Sequence, residues 1–146
     1  MSDILGNKLK LVNLVCDNCK NTLETKKQER LNKISKTTDT ITELGKLLNI
    51  PYPKRIELFD NSNISGTSAV SAMVCYIDGV PSYNDYRKFK VKTIEGADDF
   101  HTMIEVITRR YQRVINDGLV KPDLLIVDGG APQVSAAILA LDAIGE

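Results

Sequence analysis

The chain has 146 residues, enough for one domain with a hydrophobic core and too few for two well-formed domains. Its 19 Lys and Arg balance its 19 Asp and Glu, which excludes the strong overall basicity of many small nucleic-acid-binding domains, so any DNA contact must come from a local patch. No apolar run approaches the roughly 18 residues of a membrane span and the N-terminus lacks a signal-peptide core, so we expect a cytoplasmic protein without a membrane segment.

The first 50 residues contain no proline and few strand formers. Apolar residues recur there at helical spacing, first from Leu9 to Leu23 and again from Leu31 to Leu48. This pattern predicts two helices, over roughly residues 7–32 and 36–49, the second capped by Ser35 or Thr38 and ended by Pro51. We therefore expect residues 1–50 to be a helical linker segment and residues 51–146 to form a partial domain.

Three cysteines, Cys16, Cys19 and Cys75, make an odd set without a disulfide framework, which favours a reducing compartment. The spacing of Cys16 and Cys19 could indicate metal or redox chemistry. However, the sequence has no second cysteine pair, and the same spacing suits one face of a helix. We interpret both residues as packing positions.

From residue 55 the pattern becomes strand-like. Residues 55–60 alternate between two faces, so that Asp60 ends a strand on the same side as its apolar neighbours Ile56 and Leu58. Residues 69–77 and 86–93 are further strand-like runs, and the Asp78-Gly79 step between them is a strong hairpin signal. These runs predict three antiparallel strands.

A helix, a strand and a second helix follow. Asp98 and Asp99 open the first helix and Gly118 closes it. Its predicted core stripe consists of Phe100, Ile104, Ile107, Tyr111, Val114 and Ile115. Residues 123–128 form a continuous apolar run typical of a parallel strand buried on both faces. The last helix spans about residues 132–144, and its predicted apolar face consists of Val134, Ile138, Leu141 and Ile144.

This order predicts an α/β fold with a mixed sheet, in which three antiparallel strands are followed by a helical crossover to a parallel strand. The side chains predicted to be largely buried are Ile56, Leu58, Val74, Phe89, Ile104, Ile107, Leu125 and Val127.

Asp60 and Asp128 each end a strand and precede small or flexible residues. If the two strands are neighbours, both carboxylates meet at one edge of the sheet, where such oxygen ligands bind Mg²⁺ or Mn²⁺. The alternative is that both aspartates only make turn and cap hydrogen bonds, as Asp beside Gly commonly does. The pattern alone leaves both interpretations open.

Seven motifs of the chain resemble, in order and spacing, the homology region of the UvrC family of excinucleases. They are Arg55-Ile-Glu-Leu-Phe-Asp-Asn-Ser, Gly66-Thr67, Asp78-Gly79, Tyr86-Arg87-Lys88-Phe89, Asp98-Asp99, Arg109-Arg110 and Ile126-Val127-Asp128-Gly129-Gly130. The resemblance covers roughly residues 50–146, and the segment from Gly6 to Glu24 resembles, less specifically, the helical stretch before that region.

The resemblance implies an RNase H-like endonuclease domain of nucleotide excision repair, which incises damaged double-stranded DNA on the 5′ side of the lesion together with a UvrB-type partner protein. It implies that Asp60 and Asp128 are catalytic ligands of a divalent metal, Mg²⁺ or Mn²⁺. A further catalytic aspartate and a histidine are expected beyond Glu146, so we expect these 146 residues alone to be inactive. Asn63 stands where relatives usually have histidine.

Basic residues are the candidate DNA contacts. Arg87, Lys88 and Lys90 alternate with Phe89 on a predicted strand, so one side could face phosphates while the other packs, and a solvated strand face is the alternative. Arg109 and Arg110 suggest a DNA contact more weakly. His101, the single histidine, is interpreted as a solvated helix position.

Two competing functions remain open. One is a non-catalytic scaffold of RNase H-like fold that docks DNA or proteins, and the other is a different RNase H-like nuclease or resolvase. Binding of a divalent metal discriminates the scaffold from the nuclease.

Overall fold

The structure, a computed structural model, describes residues 2–62, 70–91 and 98–146, with side chains from Leu14 onward. The chain divides into two compact units, Met1–Asp39 and Thr40–Glu146. Within the described residues, no helix is long and apolar enough to cross a membrane.

A single helix, α1 (Ser2–Leu48), replaces the two predicted helices. The predicted break between residues 32 and 36 is wrong because no glycine or proline interrupts the helix there. Thr38, predicted as a cap, instead donates its hydroxyl to the carbonyl oxygen of Ile34 within the helix, at 3.1 Å. Asn49, with φ of 54°, lies just past the end of α1, before Pro51.

In the first unit, almost all described side chains of α1 are exposed. Leu14, Leu23 and Leu31 are 58%, 68% and 51% exposed. Cys16 and Cys19 are exposed free thiols, so the prediction that they are packing positions is wrong within this unit. A helical period identifies a shared face but does not show whether that face is covered.

The second unit contains a five-stranded mixed sheet. Its strands are β1 (Arg55–Ser62), β2 (Val70–Ile77), β3 (Val80–Pro81), β4 (Arg87–Lys90) and β5 (Leu124–Val127). β1 is central, antiparallel to β2 and parallel to β5, and both β3 and β4 pair with the other edge of β2. The predicted α/β class and strand directions are therefore confirmed.

The predicted hairpin forms at Asp78-Gly79, where both residues have positive φ (51° and 74°). Two consecutive positive values are typical of the type I′ turn, whose twist matches that of antiparallel strands. This turn joins β2 to the two-residue strand β3, which was not predicted, and a short 3-10 helix (Tyr83–Asp85) then leads into β4.

Two helices pack against one face of the sheet, α2 (Asp99–Asn116) and α3 (Ala131–Ile144). The core between them and the sheet contains Phe59 and Met73, and the ring centroid of Phe59 lies 6.4 Å from that of Phe89 and 6.3 Å from that of Tyr111. Because side chains alternate along a strand, the face that contains Phe59 also contains Glu57, and we call it the helix face. The opposite face, which contains Leu58 and Asp60, is called the open face.

The helix boundaries agree with the sequence analysis better than the helix faces do. The side chain of Asp98 caps α2, and Gly118 follows its end with φ of 61°. Most of the predicted stripe of α2 faces the core, since Ile107, Tyr111 and Val114 are buried and Phe100 and Ile104 pack against it. Ile115, however, is 41% exposed, and Met103 and Val106, which were not predicted, are fully buried. In α3 the buried residues are alanines (Ala136, Ala137 and Ala140). The predicted face is confirmed in part, because Leu141 and Ile144 pack against the core, whereas Val134 and Ile138 are exposed.

The prediction of largely buried side chains is confirmed in part. Ile56 and Ile107 are buried, and the other six are partly buried: Leu58, Val74, Phe89, Ile104, Leu125 and Val127. The prediction that the 123–128 strand is buried on both faces is wrong, since all four residues of β5 are only partly buried.

Candidate functional site

Asp60 and Asp128 lie at the same edge of the sheet, but the prediction that Asp60 ends a strand is wrong, because β1 continues to Ser62. β1 and β5 run in parallel, and their last paired residues are Phe59 and Val127. The ladder continues one step further, because the backbone N–H of Asp128 donates to the carbonyl oxygen of Phe59 at 2.8 Å. Alternation then assigns Asp60 and Asp128 to the open face, on neighbouring strands about 4.8 Å apart. Both residues are exposed.

Three other aspartates of this unit accept hydrogen bonds from the protein. Asp98 accepts from the backbone N–H of His101 at 3.1 Å, Asp123 from that of Arg55 at 2.8 Å, and Asp85 from the hydroxyl of Ser82 at 2.6 Å. Among the described residues, no hydrogen bond or ion pair engages the carboxylate of Asp60 or Asp128. The turn-and-cap alternative therefore has no support from the described contacts of these two side chains.

The turn after Asp128 is built without its carboxylate. Gly129 has φ of +140°, and a Cβ placed there would lie 2.6 Å from Cγ of Gln133. Gln133 fills this space in order to accept from the backbone N–H of Gly130 at 3.0 Å, which caps α3. Glycine at position 129 thus lets the chain turn from β5 directly into α3 while the side chain of Asp128 stays exposed.

Two carboxylates at one edge supply hard oxygen donors of the kind that Mg²⁺ and Mn²⁺ prefer, but only part of a coordination shell. Within residues 2–62, 70–91 and 98–146, no group of three or more His, Cys, Asp or Glu side chains is arranged to hold a metal ion. The donor set therefore fits a metal that also takes ligands from water, substrate or other protein groups. Asn63, which follows β1, lies outside the described residues.

A buried charge cluster that was not predicted lies on the helix face of β1, centred on Glu57, three residues before Asp60. The side chain of Glu57 is fully buried. Its carboxylate accepts from Arg110 Nη2 at 2.7 Å, from the hydroxyl of Tyr111 at 2.8 Å and from Arg55 Nη2 at 2.9 Å. The sequence signal for this cluster is a glutamate on the same strand face as Phe59, because a charge on a core face needs partners.

The cluster shifts the pKa values of its members. Burial alone would raise the pKa of Glu57, but the hydrogen bonds from Arg110 and Tyr111 and the positive charge of Arg110 outweigh it, so that this pKa is lowered. Burial, together with the charge of Glu57 beside it, raises the pKa of Tyr111 far above its usual range. Glu57 is therefore an ionised acceptor and Tyr111 a neutral donor at neutral pH.

Of the predicted DNA contacts, Arg110 is placed in the interior, where its side chain is only 6% exposed and paired with Glu57. That prediction is wrong for Arg110, because a guanidinium that neutralises a buried carboxylate is not available to a phosphate. It arose because position 110 lies on the sheet-facing side of α2, three residues after Ile107.

The other two arginines lie at the surface but have protein partners. Nη1 of Arg87 donates to the carbonyl oxygens of Asn84 and Tyr86, both at 2.8 Å. Arg109 donates to the carbonyl oxygen of Lys90 at 2.8 Å and lies over the ring of Phe89, with Cζ 5.9 Å from the centroid. Lys88 and Lys90 are exposed.

His101 is exposed, as expected, but it is not an isolated surface residue. Its Nδ1 lies 2.5 Å from Oδ2 of Asp98, so the side chain reinforces the cap of α2. It does not join Asp60 and Asp128 in a metal-binding group among the described residues.

Sequence comparison identifies the family of the chain. Residues 45–146 match the family described as the UvrC RNase H endonuclease domain. The chain is 55% identical over 132 residues to UvrABC system protein C of Streptococcus gordonii and of Streptococcus sanguinis, and 56% identical over 133 residues to that of Streptococcus thermophilus. These matches cover 90% of this chain and 22% of each relative, so the chain spans about a fifth of their length. A mixed sheet with parallel β1 and β5 and a family match over most of the chain lead to one conclusion: the chain belongs to the UvrC RNase H endonuclease domain family.

Proposed function

We propose that this chain carries part of the active site of a metal-dependent DNA endonuclease, in which Asp60 and Asp128 are catalytic residues that hold Mg²⁺ or Mn²⁺. The observation that carries the proposal is the convergence of two carboxylates on neighbouring parallel strand ends, without a described protein partner for either. Carboxylates left exposed and unpaired on adjacent strands repel one another, and a divalent cation relieves that repulsion.

The cation would supply Lewis acidity toward a phosphodiester and lower the pKa of a bound water. The chain's own contribution is to fix the two ligands. The last bond of the parallel ladder sets the spacing of the strand ends, and the Gly129 turn keeps Asp128 on the open face. The buried cluster around Glu57 holds β1 against α2 from behind.

The proposed substrate is damaged double-stranded DNA, cut on the 5′ side of the lesion in nucleotide excision repair, and the proposed partner is a UvrB-type protein. The relatives are named as proteins of the UvrABC system, which supports this assignment. The three free thiols favour a reducing compartment, and we propose the cytoplasm. We also propose that residues 1–50 form a helical linker segment, that residues 51–146 form a partial RNase H-like domain, and that the 146-residue chain alone is inactive.

Manganese binding by the 146-residue chain tests the metal site directly, for example by the loss of the free Mn²⁺ electron paramagnetic resonance signal. We expect binding that Asp60→Asn and Asp128→Asn each weaken at least tenfold, with unchanged circular dichroism. The matched control is Asp142→Asn, because Asp142 is exposed on α3, away from this edge. Equal binding by all four proteins would reject the metal site and favour the scaffold function.

Incision of a lesion-bearing duplex tests the catalytic role. A full-length protein containing this domain, assayed with its partner proteins and Mg²⁺ or Mn²⁺, should lose 5′ incision when Asp60 or Asp128 becomes alanine. Each change removes one oxygen ligand from an exposed position, so turnover should fall far more than stability. Near-normal incision by either folded variant would refute the catalytic role of that aspartate.

A further inference from the structure

Two lysines lie on the same sheet face as the aspartate pair. Phe89 packs against the core on the helix face, so its neighbours Lys88 and Lys90 fall on the open face by strand alternation. The register makes the relationship specific, because Ala72 pairs with Asp60 on one side and with Lys88 on the other. Asp60, Ala72 and Lys88 therefore form one row across three strands.

A second row lies beside the first. It consists of Ser62, Val70 and Lys90, again one residue each from β1, β2 and β4. The Cα atoms of Asp60 and Lys88 are separated by two strand spacings, about 10 Å. The residue between them, Ala72, is exposed and has only a methyl side chain, so the first row has an acidic end, a small middle residue and a basic end.

Neither lysine has a neutralising partner in the part of the chain that the structure describes. Among the described residues, no carboxylate forms an ion pair with Lys88 or Lys90, and no hydrogen bond engages either ammonium group. The neighbouring arginines differ, since Arg87 and Arg109 bond backbone carbonyls and Arg110 pairs with Glu57. The hydrogen bond that Arg109 donates to the carbonyl oxygen of Lys90 also fixes the end of β4.

The positive charge of the two lysines offsets the repulsion between the aspartates and a phosphodiester. Two exposed carboxylates repel a phosphodiester, and two unpaired ammonium groups on the same face attract one. The exposed row of Asp60, Ala72 and Lys88 suits an extended polyanion, and the family is one of endonucleases.

We propose that Lys88 and Lys90 bind backbone phosphates of the nucleic-acid strand that lies across the row toward Asp60 and Asp128, whereas Arg87, Arg109 and Arg110 serve the protein structure. This assignment rests on the proposed function and specifies its substrate-binding residues. Because lysine recognises phosphate as a point charge, the contact reads the backbone and carries no base specificity.

The test is the salt dependence of DNA binding by the 146-residue chain, measured by fluorescence anisotropy with a labelled duplex in EDTA at NaCl concentrations from about 50 to about 200 mM. The slope of log K against log salt is negative, and each lost phosphate contact reduces its magnitude by about 0.9. The double variant Lys88→Gln/Lys90→Gln should therefore reduce the magnitude of the slope by about 1.8 and weaken binding at the lowest salt concentration at least tenfold.

Three controls localise the effect. Lys54→Gln makes the same charge change at the opposite end of β1, and Arg87→Gln removes a basic residue of the helix face, so both should leave the slope within about 0.3 of the parent value. Asp60→Asn should tighten binding in EDTA, since it removes a negative charge from the same row.

The outcomes separate the two proposals. An unchanged slope in the double lysine variant, or an equal loss with Lys54→Gln, overturns the assignment of the lysines, even where the aspartate variants lose Mn²⁺ binding. A reduced slope together with intact Mn²⁺ binding by the aspartate variants supports the phosphate contact and rejects the metal site. Circular dichroism confirms that each variant is folded.

Discussion

Nη2 of Arg110 lies 2.7 Å from Oε1 of Glu57, and both side chains are buried between β1 and α2. The pair belongs to a cluster in which Tyr111 and Arg55 bond the same carboxylate, and Arg55 also lies 3.5 Å from Asp85. Glu57 thus joins β1 to α2, and Arg55 extends the contacts to the 3-10 helix before β4. The cluster therefore sets the position of β1, the strand that carries Asp60.

Removal of one partner should expose how much the fold depends on this pair. Arg110→Met keeps most of the volume but leaves the carboxylate of Glu57 buried with less compensation, so we expect a loss of about 3–5 kcal/mol in the free energy of unfolding. The measurement is urea denaturation at pH 7. The control is Arg113→Met on the same helix, whose pair with Asp117 is exposed and should be worth no more than about 0.5 kcal/mol. Similar losses in the two variants would contradict a central role for the cluster.

Acid should weaken the same cluster. The pKa of Glu57 is lower in the folded chain than in the unfolded chain, so its contribution to stability is complete above the unfolded value of about 4.3 and is lost as the pH falls through the folded value. Glu57→Gln removes this titration, so its free energy of unfolding should decline less steeply below pH 4 than that of the parent. Denaturation curves at pH 7, 5, 4 and 3 measure this difference. Parallel declines would show that Glu57 does not contribute to acid sensitivity.

The three thiols should divide into two classes. Cys75 is fully buried, and burial raises the pKa of its thiol, whereas Cys16 and Cys19 are exposed. Because the thiolate is the reactive form, a disulfide reagent at pH 7.5 should modify two thiols rapidly and the third only after denaturation. In Cys75→Ala the slow class should disappear while the fast class keeps two equivalents. Rapid reaction of all three thiols in the native chain would mean that β2 opens readily.

Strand order and strand ends could be predicted from the sequence because local patterns determine them. Alternation, the Asp78-Gly79 turn and the apolar run before Asp128 placed β1, β2 and β5 and brought the two aspartates to one edge. Helical faces were harder to predict, because in α3 small alanines pack against α2 while the larger Ile138 lies outside. Hydrophobicity ranks the isoleucine as the core residue, but close helix packing requires the alanine.

The charged residues show the same limit. A helical position and a positive charge made Arg110 a candidate DNA contact, and only the tertiary contact with Glu57 shows that it is internal. Glu57 itself lies within an alternating strand, and a single buried glutamate has no local signature apart from its strand face. Glu57 and Arg110 lie 53 residues apart in the sequence, and local sequence patterns carry no information about such long-range pairs.

Gly129 should be the least replaceable glycine of the site. Its φ of +140° disfavours any L side chain, and an added Cβ would collide with Gln133, which caps α3. Gly129→Ala should therefore lower the free energy of unfolding by about 1–3 kcal/mol through backbone strain, with a further loss if Gln133 leaves Gly130.

The control is Gly118→Ala, where φ is +61° and no atom lies within 4 Å of the added Cβ, so the loss in the free energy of unfolding should stay near 1 kcal/mol. Urea denaturation gives both values, and Mn²⁺ binding gives a second measure, because a shifted turn moves Asp128 away from Asp60. Weaker Mn²⁺ binding in Gly129→Ala but not in Gly118→Ala is expected, and equal stability and equal Mn²⁺ binding in the two variants would show that this turn does not position the metal ligand.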